Sequence, residues 1–216
     1  MYIRLTSRCN MSCAHCGFSC VARGKDITMD IFKTALKLAI DMGQTVTFGG
    51  GEPTLHPQFW EFFGLTMAQP DPDVLPLYIV TNGSMTDTSL ALARLAKSGV
   101  IGASLSQDEF HDPIDKRVVQ AFTRDRTSFY DHGGNDSRGL NIPYGDTINV
   151  GRAKKNGLGV SEKCFCDDIL VEPDGRLWMC GCRKRSFGTV FAPEIPEDYS
   201  ELDNSCSRAA RERKAA

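Results

Sequence analysis

The sequence predicts an α/β fold, a partial (β/α)6 TIM-like barrel with a small C-terminal Cys-rich hairpin extension. Short apolar or β-branched runs alternate with segments of helical spacing through the first half of the chain. Those runs end in glycine or in unusual polar sequence, and parallel α/β folds gather their ligands at the carboxyl ends of their strands. The 216 residues fall short of the ~250 typical of an eight-fold barrel. A partial barrel of about six units fits better.

Taken in order, Tyr2-Ile3-Arg4-Leu5-Thr6 alternates apolar and polar side chains as a short strand does. A cysteine loop follows, then a helix over residues 28–42, with Thr28 as its cap. Phe32, Ala35, Leu36 and Ala39 form its apolar stripe, and Gly43 suits its end. The β-branched run 45–48 stops at Gly49-Gly50-Gly51. A second helix is predicted over 57–67, followed by a proline-rich loop over 70–76. The strand 77–80 ends in Thr81-Asn82-Gly83, and residues 86–97 are helical in composition, with Gly99 as a stop. Residues 100–105 return to strand and end in Ser106-Gln107-Asp108. Beyond that point, 131–146 reads as mostly loop. Residues 164–182 read as a hairpin turning at Glu172-Pro173-Asp174-Gly175, and the basic end, 208–216, as frayed or helical. The expected division is a barrel core over 1–155 and a cysteine-rich extension over 156–216 that completes the fold.

Composition narrows the function. With 41% hydrophobic and 24% charged residues the chain is globular, and a net charge of −2 supplies no global field for nucleic acid or anionic membrane. The opening stretch lacks the apolar core of a secretory signal, and no apolar run approaches the ~20 residues that span a bilayer. A cytoplasmic protein with no membrane partner is the expectation. Nine cysteines, an odd number, cannot all pair as disulfides. A cysteine-rich cytoplasmic chain points to metal or redox chemistry.

Cys9, Cys13 and Cys16 stand at C-x3-C-x2-C spacing, so three thiols can turn inward on one loop. Thiolates are the normal ligands of a four-iron cluster, and three of them leave one iron open, as catalysis at a metal generally needs. A structural zinc completed by His15 or Cys20, or buried free thiols, are the other readings of the triplet alone.

The triplet after a first strand, followed by GGGEP after the second, resembles the radical S-adenosylmethionine (radical SAM) superfamily. The resemblance implies a [4Fe-4S] cluster on Cys9, Cys13 and Cys16, with S-adenosyl-L-methionine chelating its open iron. It further implies that Gly50, Gly51 and Glu52 receive the methionine amino group, Glu52 as an exposed carboxylate at a strand end. One departure is His15, where the family often has an aromatic residue. Asn82, Ser104, Ser106 and Arg152 of Gly151-Arg152-Ala153 match positions that contact S-adenosylmethionine in family members, with Arg152 suited to its carboxylate. Asp108 and His111 of Ser-x-x-Glu-Phe-His are the candidate substrate-facing catalytic residues, a loop cap being the alternative.

Cys164, Cys166, Cys180 and Cys182 flank the predicted hairpin and resemble the auxiliary-cluster extensions of radical SAM proteins. A second [4Fe-4S] cluster, a zinc ion or no metal all remain open there, with Cys20 and Cys206 as spare thiols. The implied activity is reductive cleavage of S-adenosylmethionine to a 5′-deoxyadenosyl radical that abstracts hydrogen from substrate. An electron donor such as flavodoxin or ferredoxin is implied. The substrate reads as a peptide, or as an amino-acyl-modified thymidine or nucleotide of the kind remodelled in phage-type DNA hypermodification. Lys116, Arg117, Arg124, Arg126, Arg138, Lys154 and Lys155 would meet phosphates in the nucleic-acid case, though interspersed aspartates favour a solvated surface. Lys154 or Lys155 would be the Schiff-base lysine if pyridoxal phosphate were used, and nothing nearby marks either from a surface lysine. The rival class is a non-enzymatic zinc or iron–sulfur module, which leaves GGGEP without a purpose.

Overall fold

Alternation along Tyr2–Thr6 makes β1, whose Ile3 and Leu5 are fully buried. A computed structural model describes residues 1–69, 77–123, 136–141, 149–159 and 168–197. After β1 come α1 (Met29–Asp41), β2 (Val46–Gly50), a 3-10 turn (Pro53–Leu55), α2 (Phe59–Met67) and β3 (Leu77–Thr81). Then follow α3 (Thr86–Lys97), β4 (Gly102–Ser106), α4 (Lys116–Phe122), β5 (Arg138–Asn141) and α5 (Gly151–Lys155). Four short strands close the described chain: β6 (Leu170–Val171), β7 (Arg176–Trp178), β8 (Ser186–Thr189) and β9 (Ala192–Pro193). None of the described helices is long and apolar enough to cross a membrane.

The strands form one sheet in the order β5-β4-β3-β2-β1-β6-β7-β8-β9. Neighbours from β5 through β6 are parallel, and β7 to β9 add antiparallel strands. A sixth parallel strand is therefore present, but β6 lies against β1 instead of continuing beyond β5. The predicted hairpin turn at 172–175 joins β6 to β7, with Glu172 N donating to the Arg176 carbonyl and Gly175 N to the Glu172 carbonyl.

Thr28 caps α1 by accepting from Ile31 N, and the stripe of Phe32, Ala35, Leu36 and Ala39 is buried. Phe32 stacks on Phe62 of α2 with centroids 4.1 Å apart and meets Phe48 of β2 edge-on. Each of these fully buried rings stabilises the fold by roughly 1.5–3 kcal/mol of transfer free energy. Two elements depart from expectation. The stretch read as loop contains β5, because Arg138 is held by Asp136 and by the Ala121 carbonyl while Gly139 lies against Ser104 of β4. Helix α4, too short for a clear periodicity, is capped by Asp115 and buries Val118 and Phe122. The proline-rich loop and the basic end lie outside the described residues.

Parallel strands place the segments after β1, β2, β3 and β4 at one end of the sheet. The cysteine loop, the glycine turn, Asn82 and Asp108 therefore share that end.

Candidate active site

The cysteine loop leaves β1 and returns beside it: Ser7 N donates to the Lys25 carbonyl at 2.8 Å and Cys9 N to the Val21 carbonyl at 3.0 Å. Inside it, Cys16 N donates to the Cys13 carbonyl, curling Cys13 and Cys16 into one turn. Cys9, Cys13 and Cys16 are partly buried and sit close enough to oppose one another's ionisation. Burial, and then the neighbouring thiols Cys9 and Cys16, push the Cys13 thiol up to about 11. Burial likewise raises Cys9, although Met11 N donates to its sulfur at 3.4 Å. Three thiols on one loop, one of them held low by its neighbours and two held high, are soft donors of the kind that an iron–sulfur cluster takes, so this donor set fits one.

Cys20 is not a spare for the distant pair. It is buried beside the triplet, where it hydrogen-bonds to Cys16, which lowers the Cys16 thiol and raises its own. Arg4 Nη2 donates to the Cys20 sulfur, and Cys20 donates to the Gly50 carbonyl, each at 3.3 Å. Arg4 is itself buried against Glu172, which also pairs with Arg183. Both guanidinium groups lie over the Phe18 ring, at 4.5 and 5.1 Å. This network ties the hairpin to the cysteine loop. Its signal in the sequence is faint, since its members are spread from position 4 to position 183.

Arg152 is tied to the cysteine loop. Its Nε donates to the Cys13 carbonyl at 3.0 Å and its Nη1 to the Cys20 carbonyl at 2.7 Å, while its backbone N donates to the Cys16 carbonyl. The guanidinium thus holds two loop carbonyls through Nε and Nη1. Gly151, at φ +57°, lets α5 approach: a side-chain carbon there would fall 2.1 Å from the Gly17 carbonyl oxygen. Asn156 adds a bond to the Ala14 carbonyl. Lys154 and Lys155, the pyridoxal-phosphate candidates, are exposed on α5.

Glu52 differs from expectation. Its carboxylate is fully buried, not exposed. Oε1 accepts from Thr54 N, Thr54 Oγ1 and Thr81 Oγ1 at 3.2, 2.6 and 2.8 Å, and Oε2 accepts from Asn82 N at 2.6 Å. Burial raises this carboxyl and the four donors pull it back down. The side chain joins the end of β2 to the end of β3 and has little capacity left for a ligand ammonium. Gly51 serves the loop in the same way: a side-chain carbon there would lie 1.7 Å from the Arg8 carbonyl oxygen. That close approach lets Glu52 N donate to the same carbonyl at 2.8 Å.

Asn82 is buried against the cysteine loop, its Nδ2 donating to Asn10 Oδ1 at 3.1 Å and to the Cys9 sulfur at 3.7 Å. Ser104 is buried in mid-strand between β3 and β5, while Ser106 is partly exposed at the end of β4. Asp108 accepts from His111 Nδ1 at 2.7 Å and lies 3.1 Å from His15 Nε2. The structure therefore brings the two predicted catalytic residues together and adds His15. The clue to His15 was its departure from an aromatic position.

Cys180 and Cys182 have sulfurs 2.8 Å apart at the end of β7. Cys164 and Cys166, the other half of the predicted quartet, lie outside the described residues, as does Cys206. Of the basic set, Arg117 pairs with Asp115 and Arg138 with Asp136. Arg124 and Arg126 lie outside the described residues.

A three-thiol loop at the carboxyl end of a parallel sheet, bracketed by a glycine turn, defines a class of metal-cluster enzymes. Comparison with known proteins agrees: the profile of the radical SAM superfamily matches residues 3–131, and the chain belongs to that superfamily. Membership implies a [4Fe-4S] cluster and S-adenosylmethionine. The chain is 31% identical over 128 residues to GTP 3',8-cyclase of Chlorobaculum tepidum, covering 57% of this chain and 36% of that protein. It is 27% identical over 186 residues to mycofactocin maturase MftC of Mycobacterium ulcerans, covering 72% of this chain and 47% of that one. It thus spans less than half the length of either relative. In fold it is similar to BtrN in complex with AdoMet and 2-DOIA, with a TM-score of 0.64 and 17% identity over 98% of this chain and 88% of that one. A second BtrN structure, in an open conformation, gives a TM-score of 0.55 at 16% identity, over 94% of this chain and 83% of that one.

Proposed function

We propose that the chain reductively cleaves S-adenosylmethionine and uses the resulting radical to remove hydrogen from an organic substrate. The observation that carries this reading is that Cys9, Cys13 and Cys16 sit on one loop, near enough to act on one another's ionisation, beside the Gly50-Gly51 segment. When bound, the cluster supplies the electron that splits the sulfonium. The chain's own residues do the holding. Cys9, Cys13 and Cys16 are the ligands, and Asn82 donates toward the Cys9 sulfur. Arg152 fixes the carbonyls of the loop that carries the thiols. Backbone carbonyls of the glycine turn, with Glu52 bracing them from behind, receive the methionine amino group. Ser106 lies at the rim where the cosubstrate and substrate meet.

Residues 1–155 act as the catalytic core and 156–216 as the extension that completes it. A flavodoxin or ferredoxin is the electron donor. Cys180 and Cys182, with Cys164 and Cys166, hold a second cluster or zinc. The substrate belongs to one of two classes, a peptide or an amino-acyl-modified nucleotide; of the relatives, the cyclase is named for a nucleotide, GTP.

The test is anaerobic incubation of the iron-reconstituted chain with S-adenosylmethionine and dithionite, followed by chromatography. Formation of 5′-deoxyadenosine supports the reading. Deuterium transfer from a labelled substrate into that product then sorts peptide from nucleotide.

A further inference from the structure

Apart from the cysteines, one group of metal-ligating side chains is preorganised among the described residues. The ligand atoms of His15, Asp108 and His111 all lie within 4.8 Å of one another. His15 Nε2 is 3.1 Å from Asp108 Oδ2, and His111 Nδ1 is 2.7 Å from Asp108 Oδ1. Ligands about 2.0–2.1 Å from a tetrahedral ion stand about 3.3 Å apart, so these edges, now at hydrogen-bond length, would open by only about 0.2–0.6 Å to take one. The three side chains are only 17%, 11% and 9% exposed, which shields them from the bulk water that would compete for an ion.

The surroundings hold this geometry. Phe110 N donates to Asp108 Oδ1 at 2.9 Å, and His111 N donates to the Asp108 carbonyl at 3.2 Å, so the short turn after β4 aims the carboxylate. The Phe110 ring packs on the His15 ring with centroids 4.9 Å apart. Fixed outer contacts of this kind are what orient ligands in metal sites.

A second observation points to a missing component. His15 Nδ1 and Gln107 Oε1 are buried and have no hydrogen-bond partner among the described residues. Buried polar atoms are nearly always satisfied, and an exception calls for an ion or ordered water. A carboxylate shared between two imidazoles accounts for the two short distances but leaves both atoms orphaned.

We propose that His15, Asp108 and His111 bind one divalent transition-metal ion of the zinc type, in a mononuclear site separate from the cysteine triplet. Two imidazoles and a carboxylate suit a borderline cation, and three protein ligands leave positions open for water or substrate. The site lies after β4, at the end of the sheet that carries the cysteine loop. Its open positions would take a Lewis-basic group of the substrate, a hydroxyl, amine or carboxylate, and so fix the substrate's orientation without taking part in electron transfer.

The test titrates the full, anaerobically reconstituted chain with Co2+, whose visible d–d bands report its ligands. The expected result is one equivalent bound with nitrogen and oxygen ligation and no thiolate charge-transfer band. Asp108→Ala and His111→Gln should each weaken that equivalent at least tenfold, with iron, sulfide and thermal midpoint unchanged. His111→Gln is the milder change, so its retained iron and midpoint show that the fold survives. The proposal is overturned if the wild type takes up no such equivalent, if the band shows thiolate ligation, or if both variants bind Co2+ as the wild type does. Because iron content is read separately, loss of the cluster reading would show as absent iron and would leave the Co2+ result intact.

Discussion

Replacing Glu52 by Gln asks whether this carboxylate faces a ligand or the protein. The substitution keeps shape and turns one acceptor oxygen into an NH2 donor. If the amide oxygen stays toward Thr54 and Thr81, the NH2 confronts Asn82 N, which now donates to Oε2 at 2.6 Å. Asn82 is buried, so its N–H is left without an acceptor. An orphaned buried donor costs about 1–3 kcal/mol, and the lost bond adds about 1 kcal/mol, for a total of about 2–4 kcal/mol. In the opposite rotamer the Thr54 N–H is orphaned instead, with the same sign. For a domain of this size each kcal/mol lowers the midpoint by roughly 2–4 °C, so a fall of roughly 5–15 °C is expected. Differential scanning calorimetry of the apo chain reads it directly. An unchanged midpoint, with weakened S-adenosylmethionine binding by calorimetric titration, would refute the reasoning, because the carboxylate would then be free for the ligand amine.

Three further outcomes follow from the same contacts. Arg152→Met removes the bonds to the Cys13 and Cys20 carbonyls, and should lower iron per chain after reconstitution by at least half, with Arg152→Lys falling between; colorimetric iron and sulfide assays check this. Gly51→Ala places a carbon 1.7 Å from the Arg8 carbonyl oxygen, so the loop must shift, and both iron uptake and several degrees of thermal midpoint should be lost. Glu172→Gln strips the counter-charge from buried Arg4 and from Arg183, and should destabilise the chain by about 3 kcal/mol, read from the urea midpoint.

The legible parts of the sequence were those in which one local pattern sufficed. Thr28 with the Phe32–Ala39 stripe defined α1, and Glu172-Pro173-Asp174-Gly175 defined the β6–β7 turn. The triplet spacing located the cysteine loop. Long-range choices were not legible. Nothing in Leu170-Val171 says that β6 pairs with β1 and not with β5. The side chain of Glu52 looked free because its four donors come from Thr54, Thr81 and Asn82, two of them about thirty positions away. Nothing local to Gly151-Arg152-Ala153 says that Arg152 holds the Cys13 and Cys20 carbonyls, more than a hundred positions away. His15 and Asp108 became a pair only through the fold. A motif identifies which residues matter; which partner each one takes depends on which elements the sheet brings together.

If Cys9, Cys13 and Cys16 hold a redox cluster that opens S-adenosylmethionine, turnover must depend on them. The most direct measurement is 5′-deoxyadenosine formed per chain under anaerobic reducing conditions, in wild type and in Cys13→Ala. Product is expected from the wild type and none from Cys13→Ala, while a Cys180→Ala control keeps the first cluster. A wild type that binds only zinc and forms no 5′-deoxyadenosine would contradict this reading.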